Sequence, residues 1–155
     1  SWTMTFELER SASDVGALFA YGTVNTGLVV YLDADGHLVY DHNAFSKHTA
    51  IRSSRPVPAG AVTIAVRQHR VRRGPAEAEL LFGDEVVGKG VIPVVPGMMS
   101  PVGVDIGRNL TGISDAYRPP YEFTGTLRTV VVDTIPAMAP EEEHALAIAA
   151  ALATQ

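Results

Sequence analysis

Four side chains on two neighbouring predicted strands are of the types that a sugar-binding surface uses. Tyr40 and His42 lie two positions apart on one strand, and His48 and Arg52 lie four positions apart on the next. Side chains at even spacings along a strand point to the same face of the sheet. Aromatic and hydrogen-bonding groups on an exposed face could stack and hold a sugar ring. The sequence therefore predicts a ligand-binding surface at Tyr40, His42, His48 and Arg52.

The sequence offers no catalytic constellation. Glu7 and Glu9 lie on one face of a predicted strand, but two neighbouring acids on a strand are usually solvated rather than a glycosidase pair. No hydroxyl nucleophile stands beside a base in a recognisable motif, and the chain has no cysteine. We therefore predict no catalytic residue in this chain.

One glycine-rich stretch comes close to a phosphate-binding loop. Gly88 and Lys89 are placed as in a P-loop that begins at Gly83, but Gly90 replaces the serine or threonine that holds Mg²⁺. No helical pattern follows to direct backbone N–H groups at a phosphate. A β-hairpin is the preferred interpretation of this stretch.

Two sets of possible metal ligands are incomplete. Asp33 to Gly36 resembles the start of a calcium loop, but Ala44 stands where an EF-hand has its closing glutamate. A hairpin turn is the preferred interpretation, with a structural Ca²⁺ held by loop carboxylates as the alternative. His37 and His42 lie an odd number of positions apart and so face opposite sides of a strand. We predict no metal site here, because zinc needs three or four converging ligands.

Composition favours one folded all-β domain without a nucleic-acid or membrane partner. Of the 155 residues, 46% are hydrophobic and 19% are charged, and 14 glycines and 10 prolines separate short apolar segments. The net charge of −5 owes much to Glu141 to Glu143, and a nearly neutral remainder argues against a phosphate-binding surface. Apolar runs are too short to span a bilayer. The lack of a signal-peptide pattern and of cysteine leaves the location open, with the cytoplasm favoured.

Alternating apolar residues predict nine or ten short strands. Met4, Phe6 and Leu8 alternate with polar residues near the start, and Asp35 with Gly36 is a strong hairpin signal. We predict an antiparallel β-sandwich of the jelly-roll, concanavalin A-like type over residues 1–136. An apolar stripe at helical spacing predicts a short, acidic and alanine-rich α-helix over residues 137–155, packed on the sandwich or on a partner.

Two further expectations concern particular strands. Glu77 and Glu79 are expected to lie on the same sheet face as Arg67 and His69, so that cross-strand ion pairs form. The unbroken valine run from Val130 to Val132 predicts a late strand that is buried on both faces.

With these segments in place, the chain resembles the C-terminal jelly-roll domain of bacterial arylsulfatases of the large, two-domain type. The resemblance extends in order over nearly the whole chain from about Trp2. It rests on the segments Leu28 to Asp33, Gly36 to Asn43, Thr49 to Ser54, Val57 to Gly60, Asp105 to Asn109 and Phe123 to Leu127. Similar hairpins occur across concanavalin-like lectin domains.

The resemblance implies a non-catalytic accessory domain. In that family a cysteine or serine of an upstream catalytic domain becomes formylglycine beside a Ca²⁺, so neither cofactor is expected in this chain. Ser54 to Pro56 matches part of the family motif, but Pro58 stands where the motif needs arginine. The implied partner is the catalytic sulfatase domain of the same polypeptide. The alternative is a carbohydrate-binding, lectin-like module, because exposed aromatic faces serve both sugar binding and contacts between domains.

Overall fold

The structure is a computed structural model that describes residues 1–70, 74–96 and 103–135. These residues form ten β-strands, as the alternating apolar pattern predicts, and most of the connections between them are short. The strands are β1 Trp2–Arg10, β2 Gly16–Gly22, β3 Thr26–Leu32, β4 His37–Ala44, β5 Lys47–Pro56, β6 Gly60–His69, β7 Ala76–Phe82, β8 Glu85–Ile92, β9 Val104–Ile106 and β10 Thr126–Thr134.

Two five-stranded antiparallel sheets pack face to face. The first sheet has the strand order β10-β1-β6-β7-β8, and the second has the order β5-β4-β3-β2-β9. The chain passes from one sheet to the other after β1, β5, β8 and β9, which confirms the predicted jelly-roll sandwich. The described residues contain no helix and therefore none that could cross a membrane. The predicted helix over 137–155 lies outside them.

The core lies between the two sheets and follows the predicted alternation. Met4, Phe6 and Leu8 of β1 point inward, while Glu7 and Glu9 are exposed. On the outer face of the first sheet, Arg67 of β6 lies opposite Glu79 of β7. Their side chains form an ion pair at 3.2 Å, which confirms the cross-strand pair predicted there.

The β3–β4 hairpin turns at the aspartates that resemble a calcium loop. The Oδ1 atom of Asp33 accepts hydrogen bonds from the backbone N–H groups of Asp35 and His37, at 3.0 and 2.9 Å. Gly36 takes the left-handed conformation, with φ of 78°, that closes the turn. The hairpin interpretation is confirmed, and one carboxylate oxygen of Asp33 is occupied by the turn itself.

The glycine-rich stretch forms the β7–β8 hairpin, as preferred over a phosphate loop. Packing explains why Gly88 and Gly90 carry no side chain, because β5 of the second sheet lies directly over β8. A Cβ atom on Gly88 would lie 2.9 Å from the carbonyl oxygen of Arg52, and one on Gly90 would lie 2.9 Å from the side chain of Ile51. These two positions let the sheets approach closely along one side of the sandwich.

The prediction that the valine run is buried on both faces is wrong. It lies in β10, the edge strand of the first sheet, where Val131 and Val132 are 44% and 45% exposed. Within the described residues β10 pairs with β1 alone, and no layer covers the outer face of this sheet. An unbroken β-branched run therefore marks an edge here and not a central strand.

A long connection between β9 and β10 covers part of the outer face of the second sheet. We refer to residues 107–123 as the strap. Ile113, Tyr117 and Tyr121 of the strap pack against a second apolar cluster that includes Val29 and Tyr31 of the sheet. This packing places strap side chains beside polar residues of β3, β4 and β5.

Candidate functional site

The structure separates the four residues predicted to share one exposed face. Tyr40 and His42 are 0% and 1% exposed and point into the core between the sheets. His48 and Arg52 lie on the outer face of the second sheet and reach solvent. The expectation of a single exposed surface at Tyr40, His42, His48 and Arg52 is therefore wrong for Tyr40 and His42.

Strand register explains the separation. On β4, the inner face is formed by Leu38, Tyr40 and His42. The antiparallel pairing sets Tyr40 opposite Ile51, so that Arg52 falls beside Val39 on the outer face. Residues at even spacing within each strand do share a face, as predicted. The register between the two strands, however, places Tyr40 and His42 on the face opposite to His48 and Arg52.

His48 lies between two carboxylates on the outer face. Its Nδ1 atom is 3.1 Å from Oδ2 of Asp41, whose side chain is buried, and its Nε2 atom is 3.3 Å from Oδ2 of Asp115 in the strap. The side chain of Asp115 is 89% exposed. The buried carboxylate thus orients the imidazole, while its other nitrogen faces a carboxylate at the surface.

Arg52 is also held between two carboxylates. Its Nε atom donates to Oδ2 of Asp33 at 2.6 Å, and its Nη2 atom donates to Oδ2 of Asp35 at 3.2 Å. Burial of Asp33 opposes its ionisation, but the hydrogen bonds from Arg52 and from the His37 backbone outweigh that effect and hold its pKa below the usual value. Because the hydrogen bonds of the turn also fix the Asp33 carboxylate, the position of the Arg52 guanidinium is fixed in turn.

A cluster of three tyrosines lies on the same outer face as His48 and Arg52. Tyr117 and Tyr121 of the strap stack with ring centroids 4.2 Å apart, and Tyr31 of β3 meets Tyr117 edge-on at 5.0 Å. Burial, with a smaller contribution from the nearby carboxylates of Asp41 and Asp33, raises the pKa of Tyr31 to about 12. Tyr31 is thus a neutral phenol between two negative groups.

The strap is anchored by a buried asparagine. The Oδ1 atom of Asn109 accepts hydrogen bonds from the backbone N–H of Ile113 and from the hydroxyl of Tyr117, both at 3.1 Å. Asn109 is fully buried and also begins an Asn-Leu-Thr sequon. The geometry assigns it to the interior of the strap, where it fixes Tyr117.

We refer to these charged side chains as the outer-face patch. It comprises Asp33, Asp35, Asp41, His48, Arg52 and Asp115. His48 and Arg52 are four strand positions apart, about 13 Å, with the small side chain of Ala50 exposed between them. Carboxylates accept hydrogen bonds and the guanidinium donates them, so the patch can bind a polyhydroxylated molecule laid along β5.

Two depressions lie elsewhere, on the outer face of the first sheet. One of ≈ 320 Å³ is lined by residues that include Thr3, Arg67 and Glu79, and one of ≈ 260 Å³ is lined by residues that include Glu7 and Arg128. The charged groups there are largely paired already, Arg67 with Glu79 and Arg128 with Glu9. Among the described residues, no three His, Asp or Glu side chains converge as a metal site requires.

No protein-family model matches the sequence, and no curated protein matches it. Among solved structures, the chain is similar to the native heptameric SAP-like pentraxin from Limulus polyphemus. The two are 15% identical, with a TM-score of 0.44, and the alignment covers 84% of this chain and 62% of that chain. The chain thus spans less than two thirds of that pentraxin, and a likeness at this identity concerns the fold alone.

Sequence reasoning missed the acids and the aromatic residues that complete the patch. Asp41 alternates with Tyr40 and His42 along β4, and only the pairing with β5 shows that it lies beside His48. Asp115, Tyr117 and the rest of the strap read only as a loop rich in tyrosine and proline. The signal available in advance was this unusual density of tyrosine in a connection between strands.

Proposed function

We propose that this chain is a non-catalytic binding module that takes a carbohydrate on the outer-face patch. The observation that carries the proposal is that His48 and Arg52 are each held between two carboxylates while part of each side chain remains in solvent. Groups that are held in place before binding lose little conformational entropy when a ligand arrives. Partly exposed Tyr117 and Tyr121 add aromatic surface beside them.

The charge of the patch favours a neutral or amine-bearing sugar. Four carboxylates face one guanidinium and one imidazole, so negative charge is in excess at neutral pH. Sugar hydroxyls can donate to Asp35 and Asp115, the two most exposed carboxylates, and accept from Arg52. A sulfated or uronic sugar would meet like charge and bind more weakly.

The experiment is glycan-array binding by the whole chain, followed by calorimetry on the best neutral or amino sugar. Arg52→Met is expected to weaken binding by at least about tenfold, since it removes a charge-assisted donor. Arg55→Met is the matched control, because Arg55 lies on the same strand but pairs with Glu85 away from the patch. Binding that is equally weakened by both variants, or confined to sulfated sugars, would overturn the proposal.

A second candidate is the non-catalytic C-terminal accessory domain of an arylsulfatase. It is supported by the ordered sequence resemblance and by three exposed apolar side chains near β9, those of Val104, Ile106 and Leu110. The partner would be the catalytic sulfatase domain of the same polypeptide, which would hold the Ca²⁺ and the formylglycine. In this role the module would stabilise that domain or help form the mouth of its active site.

This second candidate is tested by co-purifying the chain with a bacterial arylsulfatase catalytic domain and measuring turnover of a chromogenic sulfate ester. The accessory role predicts a complex that Ile106→Asp disrupts and that Val24→Asp, an exposed change in the β2–β3 turn, leaves intact. Turnover by this chain alone would contradict it, as would the absence of any complex.

A further inference from the structure

The four edge strands of the sandwich differ in how they are protected against pairing with another chain. An unprotected edge offers free backbone N–H and C=O groups to any other strand. In the second sheet, β9 is only three residues long, and β5 begins with Lys47 and ends with Pro56. In the first sheet, β8 carries Gly88 and Gly90 and lies under β5.

β10 has none of these protective features. It runs for nine residues without proline, lysine or glycine, and its sequence is rich in threonine and valine. Within the described residues its only strand partner is β1. Val131 and Val132 stand near the middle of this free edge with almost half of their surface exposed.

We propose that β10 is an interaction surface for a second copy of this chain, whose own β10 pairs antiparallel across a two-fold axis. The two first sheets then join into one continuous ten-stranded sheet. Each copy provides the backbone groups that the other lacks. The valines at the edge are covered by the same residues of the second copy.

The pattern of β10 selects the register of this pairing. Directly opposed residues of antiparallel strands lie on the same face of a sheet, so the two-fold axis must pass through a residue paired with itself. With the axis at Val131, Val130 lies opposite the partner's Val132, and Thr129 lies opposite the partner's Asp133. An axis at Asp133 would instead place two carboxylates together, at a cost.

Charge supports a second copy over an unrelated strand. Arg128 and Asp133 are the charged residues of β10, and they lie on either side of Val131. A β-bulge makes Arg128 the extra residue of β10, and its side chain reaches Glu9 on the outer face, the face that also carries Asp133. In the proposed register Arg128 therefore lies beside Thr129, the residue opposite the partner's Asp133. Within the described residues Asp133 has no ion-pair partner, while Arg128 gives only Nη2 to Glu9. Each copy therefore offers the charge that complements the other.

Cysteine cross-linking tests the register, because the natural chain has no cysteine. Val131→Cys is expected to form a covalent dimer on mild oxidation, since the two sulfurs meet at the axis. Thr129→Cys and Asp133→Cys should cross-link when mixed but not alone. Val91→Cys, which is more exposed than Val131 but lies on β8, is the control and should stay monomeric.

Sedimentation of the cysteine-free chain tests the assembly itself. One pair of edge strands forms a small interface, so a dimer is expected at concentrations between about 1 and about 200 µM. Val131→Lys should weaken it by at least about tenfold, because two ammonium groups would meet at the axis, whereas Val91→Lys should not. A monomer throughout this range would overturn the proposal, and it would result if another segment of the same chain occupied the edge. Equal cross-linking by Val91→Cys would overturn the proposal as well.

Discussion

The hydroxyl of Tyr40 donates a hydrogen bond of 2.7 Å to Oε1 of Gln68, across the interior of the sandwich. Tyr40 belongs to β4 of the second sheet and Gln68 to β6 of the first, and both are buried. Trp2 meets the Tyr40 ring edge-on, with centroids 5.7 Å apart. This buried hydrogen bond thus fixes the position of the two sheets relative to each other in a largely apolar layer.

Replacing Tyr40 by phenylalanine should lower the free energy of unfolding by about 1–3 kcal/mol, because the buried Oε1 of Gln68 loses its donor. The double variant Tyr40→Phe with Gln68→Leu should lose less than the sum of the single changes. Urea unfolding at neutral pH measures both. Tyr21→Phe, at a partly buried position whose hydroxyl has no hydrogen bond among the described residues, is the control. Strict additivity of the two core changes would contradict the contact.

His42 should make the sandwich sensitive to acid. Neither ring nitrogen has a hydrogen-bond partner among the described residues, and burial holds the pKa of His42 below its usual 6.5, against the opposing effect of Asp41. His42 is therefore protonated at a lower pH in the folded chain than in the unfolded chain, where its pKa is near 6.5. Stability from this group is complete above that pH and is lost as the pH falls below it.

The measurement is the unfolding free energy of the chain from about pH 7.5 to about pH 5. His42→Leu should flatten the decline, because it removes the titrating group without breaking a hydrogen bond. His69→Gln, at an exposed position, should keep the decline of the natural chain. An unchanged slope in His42→Leu would show that another group carries the acid sensitivity.

Gly16 should tolerate no side chain. Its φ is 121°, and a Cβ atom there would lie 2.0 Å from the carbonyl oxygen of Glu122, where the end of the strap meets β2. Gly16→Ala is expected to cost more than about 3 kcal/mol, combining backbone strain with a clash against backbone atoms. Thermal or urea unfolding measures it. Gly103→Ala, which meets nothing within 4 Å, should change stability little.

The phenol of Tyr31 should ionise only in strong base. Burial raises its pKa to about 12, and the carboxylate of Asp41 contributes to the increase. Asp41→Asn should therefore lower the pH at which Tyr31 ionises. Nuclear magnetic resonance of ring-labelled tyrosine follows this directly, with Asp84→Asn, at an exposed turn position, as the control. A titration that is the same in both variants would exclude the influence of Asp41.

Most strands could be predicted from sequence because each carries its own alternating pattern. Met4, Phe6 and Leu8 point inward whatever their neighbours are. The position of a strand within its sheet is not encoded in this way. The run from Val130 to Val132 has the composition of a central strand, and only the pairing of the whole chain places it at an edge.

The candidate site could be predicted only in part, because it depends on register and on a distant segment. His48 and Arg52 follow from even spacing along β5. That Tyr40 and His42 lie on the opposite face follows from the pairing of β4 with β5, which no local pattern reveals. Asp115 reaches His48 from 67 positions along the chain, so that contact exists only once the strap is packed.

The central place of β1 in the first sheet has a consequence for biosynthesis. Trp2 pairs with Gln68 on one side and with Thr134 on the other, so β1 leaves the ribosome long before its partner strand β10. During translation its apolar face remains without a finished sheet, and closing such a distant pair is slow. A nascent chain therefore carries β1 with one open edge until β10 emerges, and such an edge favours aggregation during synthesis.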